Sequence, residues 1–172
     1  MTLKEFTYQL TTIKDKLFRF SQRIVGDEET AEDVAQEVVM KLWKQREKRD
    51  QYQNLEAYCM RLTKNLSIDK TRAKHQQNVS LDQAPDPVQE SYSPYQQTAQ
   101  NDTLSHIARY MQQLPEKQRL VMQLRDVEGM DYKSIAEILE MPLPQVKVNL
   151  FRARKTIRQQ LLTLESYGLS ND

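Results

Sequence analysis

The chain of 172 residues has room for one ordinary domain or two small ones, and 25 Lys and Arg nearly balance 24 Asp and Glu for a formal net charge of +1. No apolar run approaches the ~20 residues that span a bilayer, and there is no signal peptide, so a soluble, cytoplasmic protein without membrane insertion is expected. A single cysteine asks for no oxidising compartment.

Only three glycines, abundant Leu, Gln, Lys, Arg and Glu, and sustained i, i+3, i+4 apolar spacing predict an all-α protein. The expected plan is a helical domain over residues 1–74, a flexible linker over 75–101 and a helix-turn-helix domain over 102–172. In the first block Leu3, Phe6, Leu10, Ile13, Leu17, Phe20 and Ile24 step by threes and fours, which gives one long amphipathic helix ending at Gly26. Thr30 with Asp33 fits a capping box, so a second helix is expected from Thr30 to about Arg46. Its apolar side carries Val34, Val38 and Leu42; Trp43 is expected in the core. Residues 47–54 read as a loop. A third helix is expected from about Leu55 to Ala73, with Leu55, Leu62 and Leu66 inward. Tyr58 and Cys59 read as packing residues, and Cys59 as an inert thiol because no histidine lies near it in sequence.

The segment HQQNVSLDQAPDPVQESYSPYQQTAQN holds three prolines and three acids, no Lys or Arg and little apolar periodicity. It cannot bury enough surface to offset its ordering entropy and reads as a linker. In the last block Leu104, Ile107 and Met111 mark a first helix. Pro115 opens a second that Gly129 stops, and residues 132–139 form a third. The fourth starts at Pro142 or Leu143 and runs to Leu162. The last two have the layout of a helix-turn-helix: Ile135, Ala136 and Leu139 on the short helix, and Val146, Leu150, Ala153, Ile157 and Leu161 as the buried stripe of the longer one.

Charge is segregated rather than mixed. Residues 27–37 contain six acids and no Lys or Arg, whereas residues 147–158 contain five bases and no acid. A helix fits the major groove of DNA, and its basic side chains suit phosphates, so the basic helix is read as a DNA-binding element rather than a merely solvated face.

AEDVAQEVVMKLW, NLEAYCMRLTKNLSIDKTR, LPEKQRLVMQLRDVEGMDYKSIAEIL and VKVNLFRARKTIR, in this order and across a glutamine-rich linker, resemble a bacterial RNA polymerase sigma factor of the extracytoplasmic-function (ECF) group in the sigma-70 family. The resemblance covers residues 17–72 and 114–161. It implies a dissociable polymerase subunit, without catalysis or cofactor of its own, that binds core RNA polymerase and promoter DNA. By position, Asp33, Gln36, Glu37 and Met40 would dock on the arginine-bearing clamp coiled coil of the largest subunit. Helix-dipole compensation accounts readily for Glu32 and Asp33 but poorly for Gln36 and Glu37.

The resemblance further implies capture of an unstacked minus-ten base by Tyr52, Lys64, Asn65, Asp69 and Arg72, where Tyr52 could stack and Asn65 read a base edge. Asn65 could instead make a capping or core hydrogen bond, and Asp69 with Arg72 an i, i+3 ion pair. Arg125, Lys147, Val148, Phe151, Arg152 and Lys155 would read the minus-35 duplex. The linker would either thread the polymerase's RNA path or act as an ordinary tether. Members of this group are often held by an anti-sigma factor, an expected further partner.

The turn Glu140-Met141-Pro142-Leu143-Pro144 departs from the family, which commonly has glycine in the turn and Ser or Thr as the recognition-helix cap. The register of that helix is therefore open by a residue. The competing reading is a helix-turn-helix regulator that is not a polymerase subunit; it leaves the acidic helix edge and residues 65–72 unexplained. No metal-ligand spacing, nucleophile triad or phosphate-cradling glycine loop supports an enzyme.

Overall fold

The computed structural model describes residues 1–80 and 99–168, and every regular element among them is helical. An N-terminal unit holds α1 (Leu3–Val25), α2 (Glu28–Lys44) and α3 (Leu55–Ser80). A C-terminal unit holds α4 (Ala99–Gln113), α5 (Glu116–Met122), α6 (Tyr132–Leu139) and α7 (Leu143–Gly168). The middle of the linker, residues 81–98, lies outside the described residues, and so does its reading as a threading strand or a tether.

In the N-terminal unit α1 packs along both α2 and α3. The stripe expected on α1 is the buried one from Phe6 to Phe20, while Leu3 is exposed and Ile24 only half-buried. Thr2 and Glu5 form the capping box of α1: the Glu5 N–H donates to Thr2 Oγ1 (3.2 Å) and the Thr2 N–H to Glu5 Oε2 (2.7 Å). At the other end Gly26 takes φ 81° and donates to the Gln22 carbonyl (3.0 Å), a left-handed stop that a side chain would strain.

Helix α2 starts earlier than expected. Asp27, not Thr30, is the N-cap, accepting the Thr30 N–H at 2.8 Å, and the helix ends at Lys44. The segment expected as a loop contains a 3₁₀ turn, Arg46–Gln51. Trp43 is not in the core: it is 41% exposed, with the Arg46 guanidinium 5.3 Å from its ring centre.

Helix α3 continues past Ala73 to Ser80, and its inward face differs from the leucine stripe read from sequence. Cys59, Met60, Thr63 and Ser67 are fully buried, whereas Leu62 and Leu66 are half-exposed. The reason is visible where α1 meets α3. The Ser21 and Ser67 hydroxyls share a buried 2.8 Å hydrogen bond, and Thr63 donates to the Cys59 carbonyl. Small side chains let two helices approach closely, and their hydroxyls find partners, so the cost of burying them is met locally.

In the C-terminal unit α7 packs against α4 and α5 over Met111, Leu114, Leu120, Val121, Leu124, Val146, Leu150, Ala153 and Ile157, all buried. Leu161, expected at the end of this stripe, is only half-buried, as are Ala136 and Leu139 on α6. Helix α5 does not run uniformly to Gly129: residues 123–127 widen into a π turn closed by the Glu128 N–H on the Gln123 carbonyl (3.0 Å). The buried Gln123 side chain donates to Glu128 Oε1 at 2.9 Å, which satisfies both polar groups inside the turn. Asp131 then caps α6 through the Ser134 N–H (2.9 Å).

Candidate nucleic-acid and partner interfaces

On α2 the buried residues Ala31, Val34, Ala35, Val38 and Leu42 take the core side, and Glu32, Asp33, Gln36, Glu37 and Met40 share the exposed one. Met40 is 57% exposed beside these acids, so an apolar contact sits within a charged edge. Two members are already engaged. Gln36 Nε2 donates to Glu32 Oε1 (3.3 Å), and Glu37 forms an ion pair with Lys70 of α3 at 3.3 Å. Asp33 has no side-chain partner among the described residues. The edge thus gathers acceptors, one of them held by a lysine of α3.

On α3 the exposed residues Arg61, Asn65, Asp69 and Arg72 recur at intervals of four, four and three, which lines them along one face. Asn65 is exposed and is not a core hydrogen-bonding residue. Lys64, expected with this group, precedes Asn65 by one position, so it points about 100° away around the helix, is buried, and is not brought into this line. Tyr52, at the end of the 3₁₀ turn, meets Tyr58 with ring centres 4.9 Å apart, and the Arg61 guanidinium lies 5.6 Å from the Tyr58 ring. The Tyr52 hydroxyl also reaches Gln45 Oε1 (3.4 Å). Tyr58, read from sequence as a packing residue, is half-exposed and belongs to this aromatic and cationic cluster, while Cys59 is buried with its thiol pushed up to about 12 by burial. Arg61 and Tyr58 were missed, although the i, i+4 spacing from Asn65 back to Arg61 was available in the sequence.

The helix-turn-helix resolves the question of register. The Pro142 carbonyl accepts the N–H groups of Gln145 (2.9 Å) and Val146 (3.2 Å), so Pro142 occupies the cap position with its backbone and Leu143 is the first helical residue. Lys147, Val148, Phe151, Arg152 and Lys155 then fall on one exposed arc. Phe151 is 68% exposed and Val148 46%, so this arc sets apolar side chains among its cations. Arg125, in the π turn after α5, donates to the Met130 carbonyl (2.7 Å) and lies 4.7 Å from the Tyr132 ring centre. Lys147 Nζ approaches the same ring at 5.8 Å. Arg154 behaves differently from its neighbours: Asp126 binds it through both carboxylate oxygens, and that hydrogen bonding raises the guanidinium's pKa above its ordinary value.

Family comparison supports the same two-part layout. Residues 10–77 match sigma-70 region 2 and residues 105–157 match sigma-70 region 4. A relative from Mycobacterium tuberculosis, the ECF RNA polymerase sigma factor SigL, is 32% identical over 90% of the chain and 85% of its own length. The chain belongs to the ECF sigma factors. It is also similar to the ECF sigma factor SigW of Bacillus subtilis, at 28% identity over 88% of the chain and 86% of that protein. Among solved structures its fold resembles the sigma factor RpoE bound to the anti-sigma factor NepR from Bartonella quintana, with a TM-score of 0.74 and 22% identity over 92% of this chain and 98% of that one. CnrH, solved in complex with the cytosolic domain of CnrY, gives a TM-score of 0.64 at 18% identity over 94% and 90% of the two chains.

As a sigma factor the chain directs promoter-specific transcription initiation. A region 2 domain over most of the N-terminal unit is what a simple helix-turn-helix regulator lacks, and it removes that competing reading. No helix among the described residues is long and apolar enough to cross a membrane.

Proposed function

We propose that this sigma factor divides its work among three faces. Asp33, Gln36, Glu37 and Met40 of α2 dock on the clamp coiled coil of the polymerase largest subunit, where carboxylates accept charge-assisted hydrogen bonds from arginines. Asn65, Asp69 and Arg72 on α3, with Tyr52 nearby, hold the minus-ten strand once a base leaves the stack. Lys147, Val148, Phe151, Arg152 and Lys155 enter the major groove of the minus-35 duplex while Arg125 holds a phosphate. The chain supplies recognition and the polymerase supplies the chemistry, so it acts as a non-enzymatic cytoplasmic subunit. An anti-sigma protein that covers these faces is its proposed regulator; the similar sigma factor RpoE was solved in complex with the anti-sigma factor NepR.

The observation that supports this division best is the exposed arc on α7, which combines cations with the apolar Val148 and Phe151. Cations alone serve any polyanion, whereas apolar groups among them suit thymine methyls and base edges. Reconstitution with core polymerase free of other sigma factors tests the proposal. The purified chain binds core and starts transcripts at defined sites on a genomic library; failure of both removes it.

A further inference from the structure

Tyr132 has no place in the family-derived assignment, yet it touches two residues that do. It is the first residue of α6 and partly exposed, and the helix start is capped by Asp131 rather than by Tyr132. Its ring lies 4.7 Å from the Arg125 guanidinium carbon and 5.8 Å from Lys147 Nζ. These cations come from different elements, the π turn after α5 and the start of α7, and both lie over the Tyr132 ring. No carboxylate pairs with either one among the described residues, in contrast to Arg154, which Asp126 neutralises. Two cations gathered on one aromatic ring repel each other, and the ring's negative face offsets only part of that repulsion. An anion delivered to the pair supplies the remainder.

We infer that Tyr132 is a positioning residue: its ring holds Arg125 and Lys147 as a preorganised pair that grips the DNA backbone at the edge of the recognition helix. The inference rests on the proposed minus-35 role of these two residues. Each long side chain, free in solution, loses rotamer freedom when it binds a phosphate; one already laid on a ring loses less. The carbonyl of Met130 fixes Arg125 from the other side, so the guanidinium is held at two points before DNA arrives. Removing the ring therefore weakens DNA binding without removing any charge.

The test uses holoenzyme assembled from the full chain and core polymerase on a duplex fragment carrying a mapped promoter, with Kd measured across a salt series. Tyr132→Phe keeps the ring and binds within about twofold of the unaltered chain. Tyr132→Leu weakens binding by about threefold to tenfold at low salt, the range set by one or two cation–ring contacts. It also makes the dependence of log Kd on log salt shallower, although no charge has been lost. Lys147→Ala then costs less in the Tyr132→Leu chain than in the unaltered one, because the two changes remove the same arrangement. Circular dichroism melts of each variant separate loss of fold from loss of grip. If Tyr132→Phe is as weak as Tyr132→Leu, the hydroxyl and not the ring matters and the inference fails. It fails equally if Tyr132→Leu leaves Kd and salt slope unchanged, or if its effect adds to that of Lys147→Ala. If holoenzyme with the unaltered chain does not bind the fragment, the minus-35 reading itself falls and takes the inference with it.

Discussion

Asp126 holds Arg154 through both carboxylate oxygens, joining the π turn after α5 to the middle of α7, with the Nε contact at 3.0 Å. Five bases populate this stretch of α7, and this pairing withdraws one from the charge available to DNA. A fork-to-fork pair also ties the middle of α7 to the π turn. Asp126→Asn should cost about 0.5–1 kcal/mol in urea unfolding, since the pair is partly exposed and surface ion pairs contribute little. It should also steepen the salt dependence of promoter binding by up to about one released counterion, as Arg154 becomes free for a phosphate. An unchanged slope would mean that Arg154 stays out of reach of DNA even when unpaired.

The Glu37–Lys70 ion pair makes a prediction that separates docking from stability. Lys70 competes with any incoming arginine for Glu37. Lys70→Gln should therefore raise affinity for core polymerase by about twofold to fivefold, the scale of an exposed ion pair, while unfolding shifts by less than about 1 kcal/mol. Asp33→Arg combined with Glu37→Arg should weaken the same binding in a pull-down or anisotropy titration. Equal affinities for all three chains would remove α2 from the interface.

The Ser21–Ser67 contact is buried and only 2.8 Å long. Ser67→Ala leaves the Ser21 hydroxyl without its partner and should destabilise the chain by about 1–2 kcal/mol. Replacing both serines with alanine should cost less than the sum of the single changes, because the second replacement removes the orphaned group. Denaturant curves of the four chains in the cycle give the coupling directly; strict additivity would show that each hydroxyl is satisfied elsewhere.

Glu140 ends α6 at φ 53°, the left-handed conformation, and the Met141 N–H closes the motif on the Ala136 carbonyl at 3.1 Å. A side chain in this conformation is strained, and glycine is not. Glu140→Gly relieves that strain, by about 0.5–1 kcal/mol after the entropy that glycine adds to the unfolded state is subtracted, but it also removes the carboxylate that pairs with Lys64 Nζ at 3.2 Å. A lower thermal midpoint for this variant would show that the glutamate side chain contributes more than its backbone strain costs.

Acid should act partly through the cap of α2. Partial burial pulls the Asp27 carboxyl up, but hydrogen bonds from Lys74 and Thr30 outweigh it and hold the group below its ordinary value. The folded pKa is thus lower than the unfolded one. Its contribution is fully present above about pH 4 and is lost as pH falls through the folded value. Stability measured from pH 5 down to pH 2 should fall less steeply for Asp27→Asn than for the unaltered chain; parallel profiles would remove Asp27 as a source of acid sensitivity.

Helix faces were the part most legible in the sequence. The spacing of Val146, Leu150, Ala153 and Ile157 placed Lys147, Val148, Phe151, Arg152 and Lys155 on the outer side of α7, and Val34, Val38 and Leu42 did the same for Asp33, Gln36, Glu37 and Met40 on α2. Both follow from one local rule, the 3.6-residue turn, which needs no knowledge of what packs where. The leucine stripe read on α3 failed for a complementary reason. Its helix meets α1 through the small Ser67, hydrogen-bonded to Ser21, while Leu62 and Leu66 stay half-exposed, and closeness between helices is not written in the spacing of either one.

Pairings between elements were decided by tertiary structure alone. Nothing local distinguishes Arg154, neutralised by Asp126, from Arg152 two residues before it, or predicts that Lys70 takes Glu37. The same holds for Trp43, apolar and at helical spacing, yet left near the surface under Arg46. The sequence by itself determined the outward arc of α7 and the acidic edge of α2, because those depend on backbone geometry within the helix. Which of those outward groups are spent on one another, and which remain for polymerase and DNA, depends on distances of a few ångströms across separate elements, and only the folded chain sets them.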